Sequence, residues 1–226
     1  MISLPARLWH SFRVKPFTTD DLLACYRRGV FPMAESRDDQ GFFIVDPELR
    51  CIFPLDRFHI PRRLQRTIRR NAFRFTIDRD FEAVIDGCAE PGPEREDTWI
   101  NPDIRALYVE LHRQGLAHSV EARLDGALVG GLYGVAIGGA FFGESMFSRA
   151  TDASKAALVH LAARLRFGGF KLLDAQFITP HLEQFGAQTL PRRIFHALLG
   201  AALEVKADFA ALPEDTSGAD LIKILS

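Results

Sequence analysis

The stretch HSVEARLDGALVGGLYGVAIGGAFFGESMFSRATDASKAALVHLAARLRFGGFKLLDAQF, residues 118–177, decides the fold. Its first part, His118 to Val135, reads as two strands hinged at Leu124-Asp125-Gly126, because Asp-Gly is a turn pair that accepts positive φ at both central positions. After Gly138-Gly139 a third strand runs from Ala140 to Phe147. A helix follows, with Asp152 or Ser154 as its cap, Leu158, Leu161, Ala162 and Leu165 on one face, and Gly168-Gly169 as its stop. Lys171 to Phe177 then returns as a strand. Strand, helix and strand in succession make a βαβ crossover, which sets Ala140–Phe147 and Lys171–Phe177 parallel and adjacent.

Outward from this core, Pro102 opens a helix whose Ile104, Leu107 and Leu111 recur at helical spacing, with Gly115 as its stop. Upstream lie a short helix over Phe81 to Cys88, a strand over Phe73 to Ile77 and a helix from Pro61 to about Arg70. Residues 18–29 form a further helix: Thr18 or Thr19 caps it, Leu22, Leu23 and Tyr26 make its apolar face, and Gly29 closes it. The turn-rich, aromatic run between them marks a small N-terminal domain at residues 1–60, followed by a second domain over 61–226. Downstream, Pro191 opens the last clear helix. The fold class is α/β (α+β): a small N-terminal domain beside a mixed-sheet domain in the order strand, strand, strand, helix, strand, which is that of N-acetyltransferase-like folds. Topology alone does not assign a function.

The bulk numbers exclude some readings. With 226 residues and 47% hydrophobic content the chain has ample material for a packed core. A formal net charge of -1 gives no whole-chain argument about nucleic acid, so charge must be weighed locally. Cys25, Cys51 and Cys88 sit in no CxxC or Cys/His ligand spacing, which predicts structural thiols in a reducing, cytoplasmic setting and no metal. Met1 to Phe12 has basic residues without an apolar core, unlike a secretory signal. The uncharged run Gly126 to Gly143 has seven glycines and follows a hairpin turn, so it reads as strands and not as a membrane span. Walker A, GxGxxG, HExxH and GxSxG patterns are absent, which implies no nucleotide cofactor.

Two constellations carry chemistry. Glu144 and Asp174 are acids in unusually apolar company, and carboxylates are seldom buried without a partner. Period-two alternation puts Asp174 and Gln176 on one face of their strand, with Glu144 on the neighbouring strand. Such a group could accept a proton from an attacking amine, hold a cationic substrate or orient the amine; the alternative is that each acid merely pairs with an arginine or a backbone amide. The second constellation is basic, since Arg50 to Asp80 holds nine arginines against three aspartates. On the helix from Pro61, Arg62, Arg66, Arg69 and Arg70 cluster on the side away from Leu64 and Ile68, which suits phosphates or plain solvent, and Arg63 is a further candidate on the same helix. Arg192 and Arg193 oppose the dipole of the helix after Pro191, a cost that a bound anion or a nearby acid relieves. His118 reads as a hydrogen-bonded structural histidine, and Trp99 as core before ligand platform.

Several of these residues stand in ordered motifs: Asp97-Thr98-Trp99-Ile100, Gly115 to Glu121, Tyr133-Gly134-Val135-Ala136, Gly143-Glu144-Ser145-Met146-Phe147-Ser148, Ala153-Ser154-Lys155, Asp174-Ala175-Gln176 and Pro191-Arg192-Arg193. As an ordered set they closely resemble the leucyl/phenylalanyl-tRNA protein transferases, with weaker similarity over Leu22 to Pro32. The resemblance implies transfer of Leu, Phe or Met from aminoacyl-tRNA to proteins beginning with Arg or Lys, which then enter N-terminus-dependent degradation. A monomer is expected, and the absent motifs call for no cofactor. Phe141, Glu144 and Trp99 fall on motifs of the aminoacyl pocket, and Asp174 and Gln176 on the pair assigned to the attacking amine; with tRNA as donor, the arginines of both helices are the candidate phosphate contacts. Met33 stands where the family usually has an aromatic, Phe42-Phe43 replaces a tryptophan pair, and Thr179 replaces an asparagine.

Two rivals remain on sequence. A coenzyme-A-dependent N-acetyltransferase would share the fold, but it needs a glycine-bearing pyrophosphate loop at a helix N-terminus, and no glycine occurs between Gly143 and Gly168. A non-catalytic tRNA-binding module would keep the arginine helix and have no use for Glu144, Asp174 and Gln176.

Overall fold

The computed structural model describes residues 17–39, 41–91 and 97–226; the reading of Met1 to Phe12 lies outside them. Along the chain come α1 (Thr19–Arg27), β1 (Phe31–Met33), β2 (Phe43–Val45), β3 (Leu49–Phe53), α2 (Arg62–Arg69), β4 (Arg74–Ile77), α3 (Phe81–Ala89) and α4 (Pro102–Arg113). Then follow β5 (Ala117–Leu124), β6 (Ala127–Ile137), β7 (Ala140–Ser148), α5 (Ala153–Phe167), β8 (Leu172–Gln176), α6 (Pro180–Glu183), β9 (Gln188–Pro191), α7 (Arg192–Leu203) and α8 (Gly218–Leu225).

Strands β1 and β2 form a small antiparallel pair, and the other seven form one sheet in the order β4-β5-β6-β7-β8-β3-β9. The meander and the crossover stand as expected. Asp125 and Gly126 both take positive φ, 51° and 83°, so the β5–β6 turn is the tight kind that Asp-Gly permits. β7 and β8 pair in parallel from Ala140↔Leu172 to Phe142↔Asp174, while every other neighbour in the sheet is antiparallel. The run Gly126 to Gly143 is thus spent on sheet strands, and among the described residues no helix is long and apolar enough to cross a membrane.

Alternation along β7 divides the core. Phe141 packs with α5 on one face of the sheet, with α2 and α8 lying against that helix. Phe142 packs on the other face, where α1, α3, α4 and α7 gather. α5 is buried nearly all round and not along one stripe, because α2 and α8 cover its outer side. Its start also differs from expectation: Asp152 occupies the cap position with φ 67° and makes no side-chain cap bond, and Ser148 Oγ instead accepts from the Ser154 amide. At α1 the cap is as read, with Thr18 and Asp21 exchanging a reciprocal capping box.

Six elements were not legible, among them β1 and β2, which the sequence reads as loop, and the four-residue α6. β3, counted on sequence with the N-terminal segment, is an inner strand of the large sheet between β8 and β9. Four of its five residues are buried, and sheet pairing satisfies a short apolar run that Pro47 and Pro54 make look like loop. β9 and α8 were also missed; α8 is capped by Ser217 and buries Leu221, Ile222 and Leu225 against α5 and α2.

Candidate active site

The site sits where β7 and β8 part. Their ladder ends at Phe142↔Asp174, and a register shift between Tyr133 and Gly134 lets β7 bend away. Gly134 permits this crowding, since a Cβ there would lie 2.2 Å from the Phe142 carbonyl oxygen. Across the gap Gln176 Nε2 donates to Glu144 Oε1 at 3.3 Å. Gln176 itself holds φ 53°, a left-handed conformation that costs a non-glycine residue roughly 1–3 kcal/mol.

Three acids lie in the strands of the large sheet, Glu121, Asp174 and Glu144, and they differ in what closes them. Glu121 is fully buried and surrounded by Ser119, Thr76 and the amides of Arg79 and Asp80, a closed structural arrangement. Asp174 is equally buried and holds Arg50 in a two-pronged pair, Nε–Oδ1 2.8 Å and Nη2–Oδ2 2.7 Å, while Oδ1 also accepts from the Gln176 amide at 3.0 Å. The alternative of an arginine and a backbone amide is therefore what its two oxygens meet. Glu144 differs, because it is only half-buried and lines a cavity together with Phe31, Met33, Trp99, Gln176 and Phe177.

Two tyrosines hold that open acid. Tyr26 of α1 donates to Oε1 at 2.7 Å and Tyr108 of α4 to Oε2 at 2.9 Å, and the two hydroxyls also touch each other. Burial raises both phenols well above their ordinary pKa, so they remain donors. Burial likewise pushes the Glu144 carboxyl up to about 7, outweighing the two phenol hydrogen bonds that favour its anion. A carboxylate at that value changes charge near neutral pH, as a proton acceptor should.

Other predicted residues fall differently. Trp99 lines the cavity, but Phe141 lies on the opposite face of β7 from Glu144, fully buried and stacked on Phe209, and is not on the lining. Strand alternation accounts for this: positions 142 and 144 share a face that 141 does not. Arg62, Arg63, Arg66, Arg69 and Arg70 are all exposed along α2. Arg192 pairs with Asp46 at 3.1 Å and donates to the Pro47 carbonyl, so an acidic neighbour relieves its conflict with the helix dipole; Arg193 is exposed. His118 bonds Asp78 at 2.7 Å and stacks on Phe209, a structural role. Among the described residues Cys25, Cys51 and Cys88 form no disulfide, and no group of three or more metal-ligating side chains occurs.

Arg50, Tyr26 and Tyr108 were missed. Each carried a signal: an arginine inside the apolar run Leu49 to Phe53 calls for a buried counter-ion, and a tyrosine in an apolar helix stripe calls for a partner for its hydroxyl.

The site is a carboxylate and a glutamine set where the two parallel strands of a mixed sheet part, in a chain of the α/β class. Comparison with known sequences narrows this. The family described as leucyl/phenylalanyl-tRNA protein transferase matches residues 52–200, and its N-terminal domain matches residues 16–47. The transferase of Maricaulis maris is 54% identical over 213 residues, 94% of this chain and 99% of that protein. That of Phenylobacterium zucineum is 58% identical over 204 residues, 90% and 92% of the two chains, and that of Hyphomonas neptunium 62% over 193 residues, 85% and 75%. The chain belongs to the leucyl/phenylalanyl-tRNA protein transferase family.

Proposed function

We propose that this chain moves Leu, Phe or Met from aminoacyl-tRNA to the α-amine of proteins beginning with Arg or Lys, marking them for N-terminus-dependent degradation. Family membership supports the reaction class, and one observation carries its placement: the only half-buried acid of the three, Glu144, closes a cavity whose other walls are Phe31, Met33, Trp99, Gln176 and Phe177. Apolar walls suit the aminoacyl side chain, and the carboxylate with Gln176 suits the amine chemistry at its root.

In the reaction the acceptor amine attacks the ester carbonyl. A peptide bond forms, the ester bond to the tRNA ribose breaks, the amine gives up a proton and the ribose oxygen gains one. Glu144 is the group at the cavity able to take or relay that proton, with Gln176 aligning the reacting groups. Asp174, already bound to Arg50, acts as an electrostatic anchor. The exposed arginines of α2, with Arg193, supply phosphate contacts, and Arg192 contributes from its pair with Asp46.

Incubation with labelled Leu-tRNA and two model proteins, one beginning with Arg and one with Asp, tests the reading. Label on the Arg-starting protein alone is expected. Label on the Asp-starting protein alone, turnover of acetyl-coenzyme A, or tRNA binding without transfer would each contradict it.

A further inference from the structure

We infer that Arg50 is a positioning residue for transfer: through Asp174 it holds Gln176 in the backbone conformation that sets the Gln176 side chain against Glu144. Resting on the transfer reaction proposed above, it assigns the fully buried pair a task within that reaction. Arg50 is built into place from four directions. Its guanidinium lies between the rings of Phe31 and Phe195, 4.4 and 4.6 Å from their centroids, donates to the Gly29 carbonyl at 3.1 Å and grips both oxygens of Asp174. These contacts come from β1, α7, the turn after α1 and β8, so one side chain ties three flanking segments to the inner strand that bears Gln176.

The chain of contacts then runs in one direction. Arg50 fixes the Asp174 carboxylate; Asp174 Oδ1 accepts from the Gln176 amide; Gln176, at φ 53°, presents Nε2 to Glu144. A left-handed glutamine persists only where its surroundings over-determine it, and the Asp174 bond two residues back is the contact that does so. Both Asp174 oxygens are taken by the guanidinium fork, and Oδ1 by the Gln176 amide as well. Asp174 is thus a bracket between Arg50 and Gln176.

The test uses the full chain in single-turnover transfer from saturating Leu-tRNA to an Arg-starting protein, with tRNA affinity measured alongside. Arg50→Met and Asp174→Asn should each slow transfer about 100-fold with tRNA affinity unchanged, because each leaves one buried member without its partner. The double variant Arg50→Met/Asp174→Asn keeps an oxygen for the Gln176 amide and leaves no buried charge, so it should recover to within about tenfold of wild type. A double variant as slow as Asp174→Asn would overturn the inference by putting Asp174 itself on the reacting amine, and so would a wild-type rate for Arg50→Met. If the single variants do not fold, Arg50→Lys decides: charge is kept and the fork is lost, so transfer should fall about tenfold at unchanged tRNA affinity, and a wild-type rate would refute the assignment. Failure of the transfer reading is seen separately, as an inactive wild-type protein.

Discussion

The arginine-rich run from Arg50 to Asp80 uses one residue type in two opposite ways. Arg50 is 1% exposed, enclosed by Phe31 and Phe195 and paired with Asp174. Arg62, Arg63, Arg66 and Arg70 stand in solvent on α2 with no acid bound to them among the described residues, and Arg69 reaches only Gln65 on its own helix. A buried charge is bound into the fold by the cost of leaving it unpaired, while an exposed one is spare for a polyanion. Sequence composition merges the two sets. The fold separates them: β3 runs inside the sheet, and α2 lies outside α5, facing solvent.

The largest effect should be on stability. Arg50→Met leaves Asp174 buried without a counter-charge and should lower unfolding stability by about 3–5 kcal/mol, read by urea titration. Arg66→Ala with Arg69→Ala should change it by less than about 1 kcal/mol, since surface substitutions away from special contacts cost little. Equal losses would erase the contrast between the two regions.

A second prediction concerns pH. If Glu144 must be ionised to take the amine proton, single-turnover transfer should rise through about pH 7, and Glu144→Gln should be slower by roughly 10²-fold or more with that rise abolished. The sign for stability is opposite. The folded carboxyl holds its proton more tightly than the unfolded one, so the wild type should lose stability relative to Glu144→Gln as pH climbs from about 4.5 to about 7. Parallel melting curves across that window would show it.

The smallest effect should be donor choice. Leu, Phe and Met should transfer better than Val or Ile, because β-branching stiffens and widens the side chain near its root. Pocket discrimination of this size is worth about 1–3 kcal/mol, so the preference should be graded. Met33, on the cavity wall, adds a flexible thioether to that surface. Competition between Leu-tRNA and Ile-tRNA at limiting concentration reads the ratio.

Much of this was legible before any coordinates, and what was not has physical causes. The meander, the crossover and the parallel β7–β8 pair follow from local signals: an Asp-Gly turn, glycine stops and apolar periodicity. Glu144, Asp174 and Gln176 were placed together because strand alternation and the crossover fix their faces. Phe141 lies on the face of β7 away from the cavity lining, since one position along a strand exchanges faces. β3 escaped because its partners, β8 and β9, lie more than a hundred residues downstream and its own five residues give little period. Arg50 escaped with it: its meaning depends on Asp174, 124 residues away.

The claim that chemistry and tRNA capture use different charged sets is tested most directly by one paired measurement. Asp174→Asn and Arg66→Ala/Arg69→Ala are assayed side by side for tRNA affinity across salt concentration and for single-turnover transfer at saturating tRNA. Asp174→Asn should bind tRNA as the wild type does and transfer about 100-fold more slowly. The arginine variant should bind more weakly, with the slope of log affinity against log salt flattened by roughly 1 to 2, and should recover near-normal turnover once saturated. Normal transfer by Asp174→Asn, or unchanged affinity and salt slope in the arginine variant, would contradict the account.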